Sequence, residues 1–261
     1  MADKQDGGII ETVKTVFWAL IIAGVFRTLF FQPFFIPTGS MKDTLLIGDY
    51  VAVNKMAYGY SRYSCPFAAC PFSGRFLGHD PERGDVVVFH VDVKGEDLVK
   101  RLIGLPGDRV QMKAGILYIN GAAAPQVDAG NFTEVFEPQG SFQTTPRCAN
   151  GQLAVGATCI KPRASETLPG GVSHDVLNIA DYPGFPDNTD VYTVPDGYYF
   201  FMGDNRDNSA DSRFSLAQGG VGMVRADHII GRVDRILFSS AGKRLIYFWT
   251  WRADRFFKAV E

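Results

Sequence analysis

One long apolar segment near the start of the chain limits the possible folds more than any other feature. From Thr15 to Ile36 the sequence is almost wholly apolar and is interrupted by Arg27 and Gln32. A helix of about 22 residues spans roughly 30 Å, which is the thickness of the hydrocarbon core of a lipid bilayer. We therefore predict a short cytoplasmic tail at residues 1–14, a single transmembrane helix at residues 15–36 and a large C-terminal domain at residues 37–261.

Two other interpretations of this segment are weaker. A cleavable signal peptide would have Lys4 and Lys14 before an apolar core at Val16–Phe26, but cleavage needs small residues, whereas Phe and Pro crowd the far end. A buried core helix would need an apolar shell, and nothing else in the sequence is hydrophobic enough to enclose it. In a membrane anchor, Arg27 would extend toward the interface and the final phenylalanines would form an aromatic belt.

Charge and cysteine content restrict the partners and the compartment. The net charge of -2 at pH 7 offers no basic field, so nucleic acid is not expected as a partner. The cysteines have C-x4-C and C-x10-C spacings, which fit no common zinc site, and no metal is expected. Each pair closes a short loop, so we predict a Cys148–Cys159 disulfide and leave a Cys65–Cys70 disulfide open. Disulfides are typical of oxidising compartments, which places residues 37–261 outside the cytoplasm.

After the apolar segment the sequence pattern changes to strands. Val86–Val91 and Tyr198–Met202 are continuous runs of β-branched and aromatic residues and predict buried strands. Ile116–Ile119 is followed by Asn120-Gly121, which is a strong hairpin signal. Residues 122–196 are polar and turn-rich and are interpreted as an inserted second lobe. Further strands are expected at Asp49–Lys55, Asp97–Leu102 and His228–Ser239, so the predicted fold class is mostly β.

The run from Pro37 to Met41, Pro-Thr-Gly-Ser-Met, follows the apolar segment and contains a serine that is unusual for a linker. Its residue types are typical of a turn in which a serine hydrogen-bonds its own loop. A nucleophilic role for Ser40 would require a base, yet the histidines occur in no recognisable base motif and no G-x-S-x-G motif is present. A lysine is the other available base, provided that burial lowers its pKa from about 10.4.

Lys100 and Arg101 are candidates because they lie on a predicted buried strand. Lysine and arginine are rarely buried unless they are paired or functional. Since side chains alternate along a strand, one of the two can enter the core beside Ser40 while the other meets a carboxylate. On these residues alone, an exposed pair on an edge strand is the simpler interpretation.

Four separated blocks of the sequence resemble the family of bacterial type I signal peptidases, the membrane-bound Ser–Lys proteases that remove signal peptides from exported proteins. Residues 34–45 resemble the serine box of that family, and its G-D-x-x-x-V-x-K pattern follows at residues 48–55. Residues 100–108 resemble the lysine box. Residues 203–213, with the sequence GDNRDNSADSR, match the acidic loop of the family almost letter for letter.

The resemblance implies a role for each matching residue. Ser40 would be the nucleophile and Lys100 its general base, and no cofactor would be needed. The backbone N–H of Ser40 and the hydroxyl of Thr38 would bind the oxyanion, while Ser209 would hydrogen-bond the amine of Lys100. Two ion pairs would support the dyad, namely Asp204 with Arg101 and Asp211 with Arg213. The implied fold is an antiparallel, two-lobed catalytic domain behind a single transmembrane helix.

The resemblance also implies a groove for an extended substrate between two strand edges. Positions one and three before the cut would point into the protein, and the position between them would face away. Apolar pockets with room for little more than a methyl group would select Ala-x-Ala. The expected substrate-binding residues are Phe34, Ile36, Pro37, Met41, Leu45, Val51, Asp97, Leu98 and Val99.

The partners implied by the resemblance are signal peptides of exported preproteins and the lipid bilayer. The implied location is the bacterial inner membrane, with the catalytic domain on the periplasmic side. Asp43 stands where the family usually has proline, and this departure affects the local turn rather than the nucleophile.

The sequence leaves two alternatives open. A processing peptidase of a conjugation or pilin system would share the Ser–Lys pair. A non-catalytic, membrane-anchored binding protein would leave Ser40 and Lys100 without a function.

Overall fold

The computed structural model describes residues 6–65, 68, 70–71, 73–242 and 247–260. Within them one α-helix is present, α1 (Asp6–Leu29). Its segment Gly8–Leu29 is long and apolar enough to cross a membrane, and none of its residues is buried against the rest of the protein. Residues 1–5 of the predicted tail lie outside the described residues.

The predicted helix bounds, residues 15–36, are wrong at both ends. The helix α1 begins at Asp6, and Phe31–Phe35 forms the strand β1 instead of a last helical turn. Pro33 lacks a backbone N–H and is disfavoured inside a helix, and the aromatic residues around it favour an extended strand. β1 pairs antiparallel with β2 (Asp49–Asn54). Phe34 and Phe35 therefore belong to a sheet and not to the last turn of the helix.

The largest sheet has seven antiparallel strands and contains both strands that the sequence predicts to be buried. In spatial order the strands are β1, β2, β16 (Ile229–Ser239), β5 (Val86–Val91), β6 (Glu96–Gly104), β14 (Tyr198–Met202) and β15 (Val224–Arg225). β5 and β14 have the predicted bounds, and β6, which carries Lys100, lies between them. The mostly β class is thus confirmed.

Three smaller sheets complete the described strands. The four-stranded sheet has the order β13 (Tyr192–Thr193), β7 (Arg109–Lys113), β8 (Ile116–Ile119) and β9 (Ala122–Ala123). The three-stranded sheet has the order β10 (Gln126–Val135), β11 (Thr158–Thr167) and β12 (Ser173–Leu177), and the two-stranded one pairs β3 (Tyr60–Ser61) with β4 (Arg75–Phe76). The predicted hairpin joins β8 to β9 through Asn120 and Gly121, whose φ values of 54° and 83° are those that the turn requires.

Short 3-10 helices lie in the connections between strands. Those in the described residues are Arg62–Ser64, Arg206–Asn208, Leu216–Gln218, Ala226–His228, Phe248–Thr250 and Ala253–Arg255.

The segment at residues 122–196 holds more regular structure than its sequence pattern indicates. Its strands β10 and β11 are ten residues long and pair with each other antiparallel. Most side chains of β10 are exposed or half-buried, so the apolar alternation that marks a strand is missing from its sequence. The Cys148–Cys159 disulfide joins β11 to the loop before it, and the Cys65–Cys70 disulfide is also present. The predicted disulfide is confirmed, and the open one is settled in favour of a bond.

Alternate residues of the central strands pack into separate cores. Val86 and Val88 of β5 face one core, while Val87 and Phe89 face another on the opposite side of the sheet. Met41, which follows Ser40 directly, is buried in the first of these cores. The segment that carries the serine is therefore held on a close-packed apolar base.

Candidate active site

The candidate nucleophile and the candidate base lie in contact. Ser40 lies in the connection between β1 and β2, and Lys100 lies in the middle of β6. The Nζ of Lys100 donates a hydrogen bond to the Oγ of Ser40 over 2.5 Å. Both residues are buried, with exposed fractions of 4% for Lys100 and 8% for Ser40. An amine and a hydroxyl at this distance can exchange a proton directly.

Burial lowers the pKa of Lys100 to about 8, from an ordinary value of 10.5. The carboxylates of Asp211 and Asp204 act in the opposite direction, but the desolvation of the ammonium group outweighs them. At pH 7 a lysine with this pKa is neutral in about one molecule in ten, compared with about one in 2,500 for a free lysine. The amine of Lys100 is therefore suited to accept a proton near neutral pH.

Arg101 follows the candidate base and faces the other side of β6. Its guanidinium makes a bidentate ion pair with Asp204, at N–O distances of 2.9 and 2.8 Å. It also donates to the backbone oxygen of Gly84 over 2.7 Å and to Oγ1 of Thr44 over 3.1 Å. Because buried charges are tolerated when they are paired and hydrogen-bonded, this cluster holds β6 and the acidic loop at residues 203–213 in one relative orientation.

A second buried ion pair closes the acidic loop on itself. Asp211 accepts hydrogen bonds from Nε and Nη2 of Arg213, both over 2.9 Å, and from the backbone N–H of Gly203 over 3.1 Å. Burial alone raises the pKa of Asp211, but the Arg213 charge holds it below the ordinary value. The carboxylate is therefore ionised at neutral pH and fixes the start of the loop against its end.

Ser209 does not make the hydrogen bond that the resemblance implies. Its buried hydroxyl makes no hydrogen bond to the amine of Lys100 and lies near Asp211, where it helps to lower the pKa of that carboxyl. The Oγ atom instead lies over Gly203, only 2.3 Å from where a Cβ of that residue would be. Thr38 is exposed and lines the groove beside Ser40.

Asn205 is a site residue that the sequence reasoning missed. Its backbone N–H donates to the carbonyl oxygen of Ser40 over 3.1 Å, and its Nδ2 donates to that of Gly39 over 2.8 Å. These bonds attach the acidic loop to the backbone that bears the nucleophile. The available signal was its position inside the most specific block of the sequence, directly after Asp204.

A groove of about 280 Å³ opens at the contact between Ser40 and Lys100. Six predicted substrate-binding residues line it, namely Phe34, Ile36, Pro37, Asp97, Leu98 and Val99. The structure does not bring the other three to its wall, since these are buried in the core, namely Met41, Leu45 and Val51. Lining residues that the sequence reasoning missed are Phe35, Val88, Glu96 and Phe142. Phe142 belongs to the inserted segment, so no local pattern linked it to the groove.

Asp43, which stands where the family usually has proline, has an ionic partner. Its Oδ2 accepts a hydrogen bond from Nη1 of Arg163 on β11 over 3.2 Å. Both side chains are partly exposed to solvent, so the pair contributes at most about 1 kcal/mol to stability. Its effect is to connect the serine segment to the inserted segment.

Comparisons with known proteins show which family the chain resembles. The sequence matches the family signal peptidase, peptidase S26, over residues 9–238. The signal peptidase I of Rickettsia akari is 37% identical over 253 residues, covering 91% of this chain and 84% of that protein. The signal peptidase I of Rickettsia typhi is 37% identical over 243 residues, covering 88% of this chain and 82% of that protein. A crystal structure of a signal peptidase I from Enterococcus faecalis aligns with a TM-score of 0.31 and 24% identity over 59% of this chain and 97% of its own.

The family match runs from α1 to β16 and includes both Ser40 and Lys100. The chain belongs to the signal peptidase family, peptidase S26, whose members are serine hydrolases. Within that family it is a type I signal peptidase, as the identity to the Rickettsia enzymes shows over most of both chains.

Proposed function

We propose that Ser40 and Lys100 form the catalytic dyad of a membrane-bound endopeptidase that removes N-terminal signal peptides from exported preproteins after Ala-x-Ala-like sites. The observation that carries this proposal is the hydrogen bond between the buried amine of Lys100 and the Oγ of Ser40. A lysine with a pKa near 8 can activate a serine without a histidine.

In the proposed reaction, Lys100 accepts the hydroxyl proton as the Oγ of Ser40 attacks the scissile carbonyl carbon. The carbonyl oxygen becomes an oxyanion, for which the N–H of Ser40 and the hydroxyl of Thr38 are the proposed donors. The C–N bond then breaks, and Lys100 returns the proton to the leaving amine, which is the new N-terminus of the mature protein. Water attacks the acyl-enzyme with Lys100 again as base, the ester bond to Oγ breaks, and Lys100 returns the proton to Ser40. The signal peptide leaves as a carboxylic acid, which ionises to a carboxylate.

The domain arrangement supports an active site at the periplasmic surface of the membrane that α1 would span. We infer that α1 is the transmembrane anchor and that residues 37–261 form the extracytoplasmic catalytic domain, with residues 122–196 inserted as a second lobe. Strand β1 begins directly after α1 and runs to the groove, so the bilayer and the substrate site are near each other along the chain. The two disulfides favour the periplasmic side of the bacterial inner membrane.

The proposal predicts that kcat/KM rises with pH. Only neutral Lys100 can accept the proton, and burial lowers the pKa of its amine to about 8. Below that value the protonated form dominates, so kcat/KM should increase about tenfold per pH unit and then level off at higher pH. Cleavage of a signal-peptide substrate in detergent micelles, with circular dichroism at each pH, checks this. A profile that titrates only near pH 10, about the value of a solvated lysine, would show that the amine is not the base.

The proposal also predicts which substrate residues are accepted at positions one and three before the cut. The groove is lined by the buried side chains of Ile36 and Val88 and by the half-buried side chain of Val99, so the two inward positions of a bound peptide are expected to meet apolar groups. Replacing alanine with phenylalanine or lysine at position one or three before the cut should lower kcat/KM by about 100-fold or more, because of clash or desolvation. The same change at the middle position should have a much smaller effect.

A peptide series that varies each of the three positions separately tests this specificity. The matched control is the same substitution placed far upstream of the cut, where it leaves the groove contacts unchanged. Efficient cleavage after phenylalanine or lysine, or equal discrimination at all three positions, would refute the Ala-x-Ala proposal.

A further inference from the structure

A buried cluster joins the inserted sheet to the turn that carries Ser40. Lys42 donates through its Nζ to Oε2 of Glu134 over 2.5 Å and to Oε1 of Gln139 over 2.8 Å. Gln139 in turn donates to the same oxygen of Glu134 over 2.7 Å. The other oxygen of Glu134 accepts from Nζ of Lys161 over 2.5 Å. The Glu134 carboxylate on β10 thus binds two lysines, and one of these, Lys42, lies in the turn that carries Ser40.

Lys42 reaches the nucleophile through the shape of the turn. A Cβ at Gly39 would lie 3.2 Å from Cε of Lys42, so the lysine stem packs against the backbone of Gly39. The N–H of Lys42 donates to the carbonyl oxygen of Gly39 over 3.3 Å and closes the turn around Ser40. The same carbonyl accepts from Asn205 of the acidic loop. Ser40 therefore lies between contacts from the inserted sheet and contacts from the acidic loop.

Stability alone does not explain a lysine at position 42. Lys42 and Lys161 are 3% and 0% exposed, and burying an ammonium group is costly even when it is paired. Glu134 is already neutralised by Lys161, so a second cation is not needed to satisfy the carboxylate. An apolar side chain would fill the site beside Gly39 without that cost. Unlike apolar packing, the hydrogen bonds of Lys42 to Glu134 and Gln139 fix the orientation of its side chain.

We propose that Lys42 is a positioning residue for Ser40, oriented by Glu134 and Gln139, and that the inserted sheet thereby helps to set the geometry of the reacting turn. The inference rests on the proposed role of Ser40 as nucleophile and oxyanion donor. A displacement of the reacting group by about 1 Å can cost about 100-fold in rate. Lys42 itself accepts and donates no proton in the reaction, and its role is to hold the turn.

The two lysines on one carboxylate supply a matched pair of variants. Lys42→Met and Lys161→Met each remove one buried amine from Glu134 and leave the other in place, so both are expected to fold and to have similar melting temperatures. Lys42→Met should lower kcat by about tenfold to 100-fold with little change in KM, because the turn around Ser40 loses its fixed contacts. Lys161→Met should leave kcat close to the parent value, since Lys161 contacts Glu134 and not the turn.

Two further measurements separate positioning from a general loss of structure. The midpoint of the pH profile should stay the same in Lys42→Met while the plateau falls, because the surroundings of Lys100 do not change. Lys42→Arg, which keeps a buried donor for Glu134 and Gln139, should recover most of the rate. All assays use the full chain in detergent, at a temperature below the melting point of each variant.

Equal losses of kcat in Lys42→Met and Lys161→Met would overturn the inference, and so would an undiminished kcat in a folded Lys42→Met. Failure of the proposed function gives a different result, since Ser40→Ala would then still cleave the substrate. A loss of kcat confined to Lys42→Met, with rescue by Lys42→Arg, is the expected outcome.

Discussion

Replacing Lys100 with alanine should lower kcat for signal-peptide cleavage by about 100- to 10,000-fold, because general-base assistance to Ser40 is lost. Ser40→Ala should abolish turnover, since no oxygen remains to form the acyl-enzyme. Lys100→Arg should be as inactive as Lys100→Ala, because a guanidinium cannot be deprotonated in a protein. Rates are measured on a synthetic preprotein in detergent, with circular dichroism to show that each variant is folded.

A matched control uses a buried lysine elsewhere. Lys55 is also buried, and its Nζ donates to the backbone oxygen of Ser64 over 2.5 Å. Lys55→Met should lower stability but leave kcat near the parent value, because Lys55 has no contact with the dyad. Near-native turnover by folded Lys100→Arg would disprove the dyad, whatever the result for Ser40→Ala.

The other large effect is expected from a single methyl group behind the nucleophile. A Cβ at Gly203 would lie 2.5 Å from the carbonyl oxygen of Ser40 and 2.3 Å from Oγ of Ser209. Real Cβ atoms do not approach backbone so closely, so Gly203→Ala must push the acidic loop and the serine turn apart. We expect kcat to fall by about 100-fold and the free energy of unfolding to fall by about 1–3 kcal/mol.

Gly184→Ala is the control for this change. A Cβ at Gly184 would meet nothing within 4 Å, so the same substitution there should leave both kcat and the melting temperature almost unchanged. Kinetics and thermal unfolding of the two variants give the comparison. A Gly203→Ala enzyme with parental kcat would mean that the loop and the turn can separate without moving Ser40, and the contact would then have no role in catalysis.

The apolar helix shows what composition can and cannot predict. The sequence correctly indicates one helix of membrane-spanning length, because only such a segment is apolar all round. Its bounds were shifted, because the sequence after Leu29 is as apolar as the helix itself. Phe31–Phe35 becomes a strand by pairing with β2, the next strand in the chain, and Pro33 is the one local sign that the helix has ended before it.

The inserted segment shows the opposite case. Local polarity predicts turns for residues 122–196, yet β10 and β11 form long strands there. The side chains of β10 are exposed or half-buried, so its sequence does not need alternating apolar residues. Pairing with β11 therefore decides its conformation.

The sequence by itself determined the strands with continuous apolar runs, the disulfide at Cys148, and the pattern that points to Ser40 and Lys100. These depend on residues close together in the chain or on a motif of specific chemistry. Only the tertiary structure decided that Lys100 is buried against Ser40, that Ser209 does not bond the amine, and that Lys42 is held by the inserted sheet. Burial and hydrogen-bond partners come from segments distant in sequence, and these set the pKa and the orientation on which the chemistry depends.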